Sequence, residues 1–565
     1  MGYNNRSGGK QWMRLLLMLA WLVLPPQTLR AANAPSRTPM PKRPTPAVTL
    51  FIATSGDDAN AGTREQPFAT LQRARDEIRK LKQRGLLSKG GVAVQVAGGR
   101  YKVAKTFTLG TEDSGTETAP IVYRAVEGEM PTFTGGLRLK GFQPVSDTAI
   151  LERLPEEARG KVVRVDLASH GLGNIKPLSL GGFASGRGFK THPVMELFFD
   201  GRPLPLARWP NDGFVHIADV QLDGHKIHGR AGSKTGRFTY RGERPNRWKD
   251  DKDAMLYGYW FFGWADSYEP VASIDTKRRE ITLKPPYHKY GYRKGQPYYA
   301  INLLSEIDQP GEWYLDRGTA ALYLYPPSDP NKAVLELSTV DYPFVEMKDV
   351  SHVSFERFVW EFGGGDVVRI SGGEHCLLAG CTIRHCGGNG VAIRGGRNHG
   401  LLSCDIYSLG RGGVAVDGGN RKTLAPGGHF VENCHIHNLS RIDHTYTPAV
   451  WMGGVGNRIV HNRLHDIRSS AIRLGGNDHL VEFNEVFDVV WESDDQGGAD
   501  MFGNATYRGN VYRYNYWHHI GIGRGGQEEP ACGRAGIRLD DAISGTLIFG
   551  NVFYRCSAGK LGFGG

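Results

Sequence analysis

VGNRIVHNRLHDIRSSAIRLGGNDHLVEFNEVFDVV, residues 455–490, holds one full period of the pattern that decides the fold. From NRLH at Asn462 to NEVF at Asn484 is a step of 22 residues. Aligned on the small or polar residue before an apolar pair, the same word recurs at Cys381 (CTIR), Cys404 (CDIY), Cys434 (CHIH), Asn515 (NYWH) and Asn551 (NVFY). The successive spacings are 23, 30, 28, 22, 31 and 36. A base period of 22 is too short for paired-helix repeats and suits one turn of a parallel β-helix. Leucine-rich repeats share the period, but their consensus leucines and following helix are missing. Strand twist sets a right-handed coil. Asparagines stacked at equivalent turns predict hydrogen-bond ladders that satisfy buried backbone at the corners. The expected class is all-β, a right-handed parallel β-helix.

A second element recurs in each coil: GVAIRGG (390–396), GVAVDGG (413–419), AVWMGG (449–454), AIRLGG (471–476), ADMFGN (499–504) and GIRLDD (536–541). Strand alternation sends one apolar set inward, 391/393, 414/416, 450/452, 472/474 and 537/539. The opposite face is then expected to carry Arg394, Asp417, Trp451, Arg473, Met501, Arg538 and Asp540. Residues in excess of the period fall just before or after this element, as NRKTLAPG, SRIDHTYT, WESDDQ and GIGRGGQEEPACGR. Loops grown on both sides of one sheet make that sheet the floor of a groove, and solenoids place insertions on the binding face.

The groove is rich in ionisable and aromatic groups. His444, Tyr446 and Trp451 belong to one coil and Arg473 to the next; Glu492, Asp494 and Asp495 follow in a loop, then His518, His519, Arg538, Asp540 and Asp541. Glycosidic bond cleavage needs two carboxylates, one protonated as acid and one ionised as nucleophile or base. Coils stack about 4.8 Å apart, so Asp495 and Asp540 or Asp541 fall within the roughly 5–10 Å that hydrolases use. Arg473 or Arg538 nearby would hold one carboxylate ionised. The catalytic candidates are therefore Asp495, Asp541, Asp494 and Asp540, and the substrate-binding candidates Trp451, Arg473, His444, Tyr446, His518, His519 and Arg538. Asp541 can equally cap a turn, and one of Asp494 and Asp495 is expected to be a turn residue before Gly497. His435, His437 and His465 follow the ladder position and read as structural. No ligand spacing demands a metal or cofactor, although a structural calcium ion is compatible with the acidic loops.

Before the repeats the chain reads differently. Residues 1–34 look like an export signal: Arg6, Lys10 and Arg14, an apolar run from Leu15 to Leu24, then Ala32-Asn33-Ala34. That run is too short to span a bilayer, and no later segment is long and apolar enough to do so, so no membrane anchor is expected after cleavage. Residues 35–47 form a proline-rich linker. TLQRARDEIRKL places apolar residues at 71, 74, 78 and 81, which predicts a helix over 70–81 with Thr70 as its cap; such a helix covers the open end of a solenoid. The repeat is lost over 140–345, where hairpin-like segments predict an inserted β-rich domain with its own core. The domain plan is thus 48–139 for the first coils, 140–345 for the insertion and 346–565 for the coils with the groove. The net charge of +11 is spread along the chain, which reads as a solvated surface and not as a nucleic-acid site. Seven cysteines, an odd number without paired metal spacing, read as small buried residues.

Two stretches carry a resemblance. SGDDANAGTREQPFATLQRARDEI (55–78) resembles the opening motif of many exported bacterial parallel β-helix proteins of the pectate-lyase-like kind. The run from PAVWMGG to NVFYRC (448–556) looks like glycoside hydrolase family 141, hydrolases of plant cell-wall glycans, and its uncharacterised relatives. The resemblance runs from about residue 48 to the end of the chain. It implies a periplasmic or extracellular enzyme, monomeric, acting on a polysaccharide or oligosaccharide. It also implies two catalytic acids, one in the loop before the Gly-Ala strand and one in the LDD strand. In this chain those are Asp495 or Asp494, and Asp541 or Asp540. Where the family reads GAIYxGR this chain reads GGADMFGN, so the resemblance transfers no particular sugar. A lyase or epimerase on the same fold, and a non-catalytic glycan-binding solenoid, are the competing expectations. The chain stops at KLGFGG, part-way through a coil, which predicts a fragment or a truncated product.

Overall fold

The computed structural model describes residues 40–187, 194–522, 533–557 and 561–563. The signal-like segment 1–34, residues 35–39 of the linker, and residues 523–532 of the GIGRGGQEEPACGR loop lie outside these. Three long sheets wrap one apolar core, and each coil gives a strand to each sheet. In the coil of Asn484, Leu480–Glu482 joins the first sheet, Glu485–Val489 the second and Gly497–Met501 the third. Adjacent coils pair in parallel, as in Leu480↔Val511, Glu485↔Tyr516 and Ala499↔Ile537. The fold is the right-handed parallel β-helix that the period implies.

The corner between the first and second sheets is held as the repeat predicts. The backbone N–H groups of Asn462, Asn484 and Asn515 donate to the Oδ1 of Asn484, Asn515 and Asn551 at 2.9, 2.9 and 3.1 Å. Further back the corner is lined by the buried free thiols of Cys434, Cys404 and Cys381. A second ladder, unforeseen from sequence, runs along the corner between the third and first sheets. His399, His429, Asn457, His479 and Asn510 each accept from the N–H of the equivalent residue one coil before. Burial pushes His399, His429 and His479 down to about 4, so the imidazoles are neutral and Nδ1 is free to accept.

The helix forms at Leu71–Gln83, with Thr70 Oγ1 accepting from the Arg73 N–H. Leu71, Ala74 and Ile78 pack into the solenoid core. Described residues of the proline-rich stretch lie along the first sheet, where Arg43 donates to Glu356 at 2.8 Å and to Ser354 at 2.8 Å. The insertion is a set of antiparallel sheets, opened and closed by the pairing of Gly136–Leu139 with Leu335–Ser338. The chain re-enters the solenoid at Val345–Lys348, which pairs in parallel with Phe107–Leu109 on one side and Val368–Ser371 on the other. The third sheet therefore runs unbroken past a long excursion.

Candidate active site

The floor of the site is the outer face of the third sheet, and its registry sets the chemistry. One row reads Ala392, Ala415, Trp451, Arg473, Asp500, Arg538 across successive coils. Met501, expected on this face, instead pairs with Leu474 and Leu539 and is fully buried in the core. The reason is steric: Ala499 and Met501 are the inward pair of this strand, and their apolar side chains take the core positions that Ile472 and Leu474 take one coil earlier. Asp500, absent from the sequence candidates, is the outward residue. Aligning Ala499 with Ile472 and Ile537 would have revealed it.

Arg538 organises the carboxylates. Its Nη2 donates to Asp495 Oδ1 at 2.6 Å and its Nη1 to Asp540 Oδ2 at 2.6 Å. Asp500 sits between Arg473 and Arg538, 3.7 and 3.8 Å from their Nη1 atoms. Those are charge contacts longer than hydrogen bonds, and Asp500 Oδ1 and Arg473 Nη1 are buried with no hydrogen-bond partner. Burial pushes the Asp500 carboxyl up to about 6, against the pull of Arg473 and Arg538 and with Asp540 and Asp495 adding to the rise. Burial also raises the Asp495 carboxyl; Arg538 opposes the rise, and Asp540 and Asp541 reinforce it. Asp541 stands exposed with φ 50° in the turn after the strand Ala535–Leu539. Asp495, Asp500, Asp540, Asp541, Arg473 and Arg538 thus share one region, while the Asp494 carboxylate turns to Arg534.

The walls come from two sources. Tyr446, at φ 57°, puts its ring 4.0 Å from the Arg473 guanidinium, while Phe502 covers that guanidinium at 4.4 Å. Phe183 of the insertion packs on Tyr446 at 4.2 Å, with Trp264 beside it. The Asp494 N–H donates to Gly263 O at 2.9 Å, and Arg534 holds the Asp494 carboxylate at 3.1 Å. A Cβ on Gly263 would lie 2.4 Å from Asp494 Oδ2, so a larger residue there would push the Asp494 carboxylate aside. Trp451 is 37% exposed on the floor, with the small Ala415 beside it in register.

Three sequence candidates lie elsewhere. His444 is buried in the seam between insertion and solenoid, its Nδ1 2.6 Å from Glu492 Oε1. Tyr259 donates to the same carboxylate at 3.0 Å and Arg468 binds its other oxygen. Burial works against ionisation there, but Arg468, His444 and Tyr259 override it and hold the Glu492 carboxyl far below the usual range. Beside it, buried Asp266 of the insertion accepts from Thr445 Oγ1 at 2.5 Å and the His444 N–H at 3.2 Å. His518 and His519 belong to the strand Tyr516–Ile520 of the second sheet, not to the groove floor.

Residues 345–446 match the profile of the right handed beta helix region. No curated protein matches the chain. A solved structure described as a glycoside hydrolase superposes with a TM-score of 0.67 at 16% identity, covering 91% of this chain and 96% of its own. One of XylC with xylose gives a TM-score of 0.45 at 11% identity, with 90% and 86% covered. The pectate lyase Pel9A gives 0.31 at 10% identity, with 84% and 78% covered. The chain shares its fold with the first of these. Among the described residues, no helix is long and apolar enough to cross a membrane.

Proposed function

We propose that this protein is an exported, monomeric glycoside hydrolase of a complex polysaccharide, of the family 141 type. Asp495 is the general acid and Asp541 the nucleophile or base. One observation carries the reading: a single guanidinium, Arg538, holds carboxylates from two adjacent coils beside the outer face of the third sheet. Paired carboxylates cleave glycosidic bonds when roughly 5–9.5 Å apart, and one guanidinium shared by Asp495 and Asp540 supports a pair drawn from these two coils. Asp495 is half-buried and raised, as an acid that must donate near neutral pH requires. Asp541 is exposed one residue beyond the Arg538–Asp540 pair, open to a sugar carbon or a water. Trp451 offers a ring for a sugar face, and this acid–base chemistry needs no cofactor. The fold shared with a structure described as a glycoside hydrolase supports the assignment. The test is release of reducing sugar from a glycan panel. Asp495→Asn and Asp541→Asn should each lower kcat by about 10²-fold or more; turnover that survives both changes removes the pair from the reaction.

A second reading rests on Arg473, whose buried Nη1 has no hydrogen-bond partner. A lyase or epimerase needs such a cation to neutralise a uronate carboxylate while a base removes the α-proton. Unsaturated product ends, seen by ultraviolet absorbance, would select this reading over hydrolysis.

A further inference from the structure

Away from the groove, the outer face of the second sheet carries a column of rings. Tyr407, His437, His465, Phe487 and His518 stand in register on successive coils. Their centroids lie 5.1, 4.8, 4.5 and 4.7 Å apart. His435 joins the column from the side, its ring stacked on His437 with centroids 4.2 Å apart. His435 sits two residues before His437 on the same face, and its register partner on the next coil is Arg463. It nevertheless reaches diagonally to His465, placing the two Nε2 atoms 2.7 Å apart. One nitrogen from each of His435, His437 and His465 lies within 4.8 Å of the others, and all three residues are half-buried.

Their second nitrogens are also organised. His465 Nδ1 meets the Asp466 carboxylate at 2.6 Å, and His437 Nδ1 meets Asn438 Oδ1 at 2.5 Å. Asp466 and Asn438 both have left-handed backbone, φ 54° and 52°, and each follows its histidine directly. An oxygen on Nδ1 puts the proton there and leaves Nε2 as a lone pair, the arrangement by which proteins orient metal-ligating imidazoles. Asp405 neighbours His435 in register and adds negative charge. The nearby cation Arg463 is paired to Glu485 at 2.9 Å and lies over Phe487.

We propose that His435, His437 and His465 bind one divalent transition-metal ion of the imidazole-preferring class, zinc, nickel or copper, and so clamp two adjacent coils. Zn–N bonds of about 2.0–2.1 Å at tetrahedral angles need nitrogens about 3.3 Å apart, a spacing that lies between the 2.7 Å of His435 and His465 and the 4.8 Å that bounds the three. The half-buried position leaves the fourth ligand to water. The site is independent of the groove and of the reading given to it.

The test is titration of chelator-treated protein with ZnCl2 by calorimetry, and with CoCl2 by visible absorption, alongside thermal melts. One equivalent should bind, and zinc should raise the melting temperature. His435→Gln and His465→Gln should each weaken binding at least tenfold, and Asp466→Asn about tenfold, as loss of an outer-shell partner does. His437→Phe keeps the stacked column and removes one ligand, so it separates ligation from packing; it should also bind at least tenfold more weakly. His518→Gln, in the same column, should bind as the parent does. Absence of a saturable single equivalent, or undiminished binding in the His435, His437 and His465 variants, overturns the proposal. The short contact is then an N–H···N hydrogen bond.

Discussion

Arg538 and Asp495 meet at 2.6 Å across the step between two coils. The same guanidinium also holds Asp540, so it is the shared cation of a carboxylate cluster. Replacing it with methionine, Arg538→Met, removes an opposing charge from Asp495 and leaves the like charges of Asp540 and Asp541. The Asp495 carboxyl should then rise further. In a pH–rate profile of kcat/KM the limb set by the general acid should move to higher pH. A profile that falls in amplitude without moving would assign Arg538 to substrate binding alone.

Asp500 makes a prediction about stability and pH. Its folded-state carboxyl is raised to about 6, above its unfolded value near about 3.9. Stability from the protonated form is therefore present below about pH 4 and is lost as pH rises through about 6, a total of about 3 kcal/mol. Asp500→Asn removes that dependence. Denaturant unfolding at pH 4 and pH 7 should show the variant gaining on the parent by up to about 3 kcal/mol at the higher pH.

Glu492 has the opposite sign. Arg468, His444 and Tyr259 hold it ionised despite burial, so its contribution is present above the ordinary carboxyl range and fades as pH falls. Glu492→Gln leaves the Arg468 charge without its partner and should cost about 3 kcal/mol near neutral pH. That is the low end for a broken buried pair, because Arg468 keeps 30% of its side chain exposed. The gap between variant and parent should narrow on acidification. The network joins insertion to solenoid, so limited proteolysis of the variant should cut first at that seam.

The asparagine corner can be tested one rung at a time. Asn484 accepts from the Asn462 N–H at 2.9 Å and donates to Ile459 O at 2.9 Å. Asn484→Ala orphans both groups inside the solenoid and should cost about 1–3 kcal/mol for each. Asn484→Asp sets a buried carboxylate against the oxygens of Ile459, Glu482 and Asn515 and should lie below the alanine variant in denaturant midpoint near neutral pH.

The winding of the chain was legible in its sequence because a β-helix is built from local words. An apolar pair, a turn asparagine and a repeat of 22 residues state the coil without knowledge of distant residues. The same locality put Arg473 and Arg538 on the outer face of the third sheet. It failed at Asp500, where one residue of register decides which side of a pleated strand faces out, and at the His/Asn ladder, whose rungs are spelled with two residue types. His444 and Glu492 were visible as polar loop residues but meet in the buried seam, and Asp266, Phe183 and Trp264 were beyond local reading altogether. Their partners lie on opposite sides of the boundary between solenoid and insertion, and loop packing carries no periodic signal. The repeat by itself determined the solenoid and the sheet face on which Trp451, Arg473 and Arg538 stand. Only the tertiary structure decided which carboxylates share Arg538 and which ring walls close over Arg473, because charges and rings from different coils and from the insertion meet there through space alone.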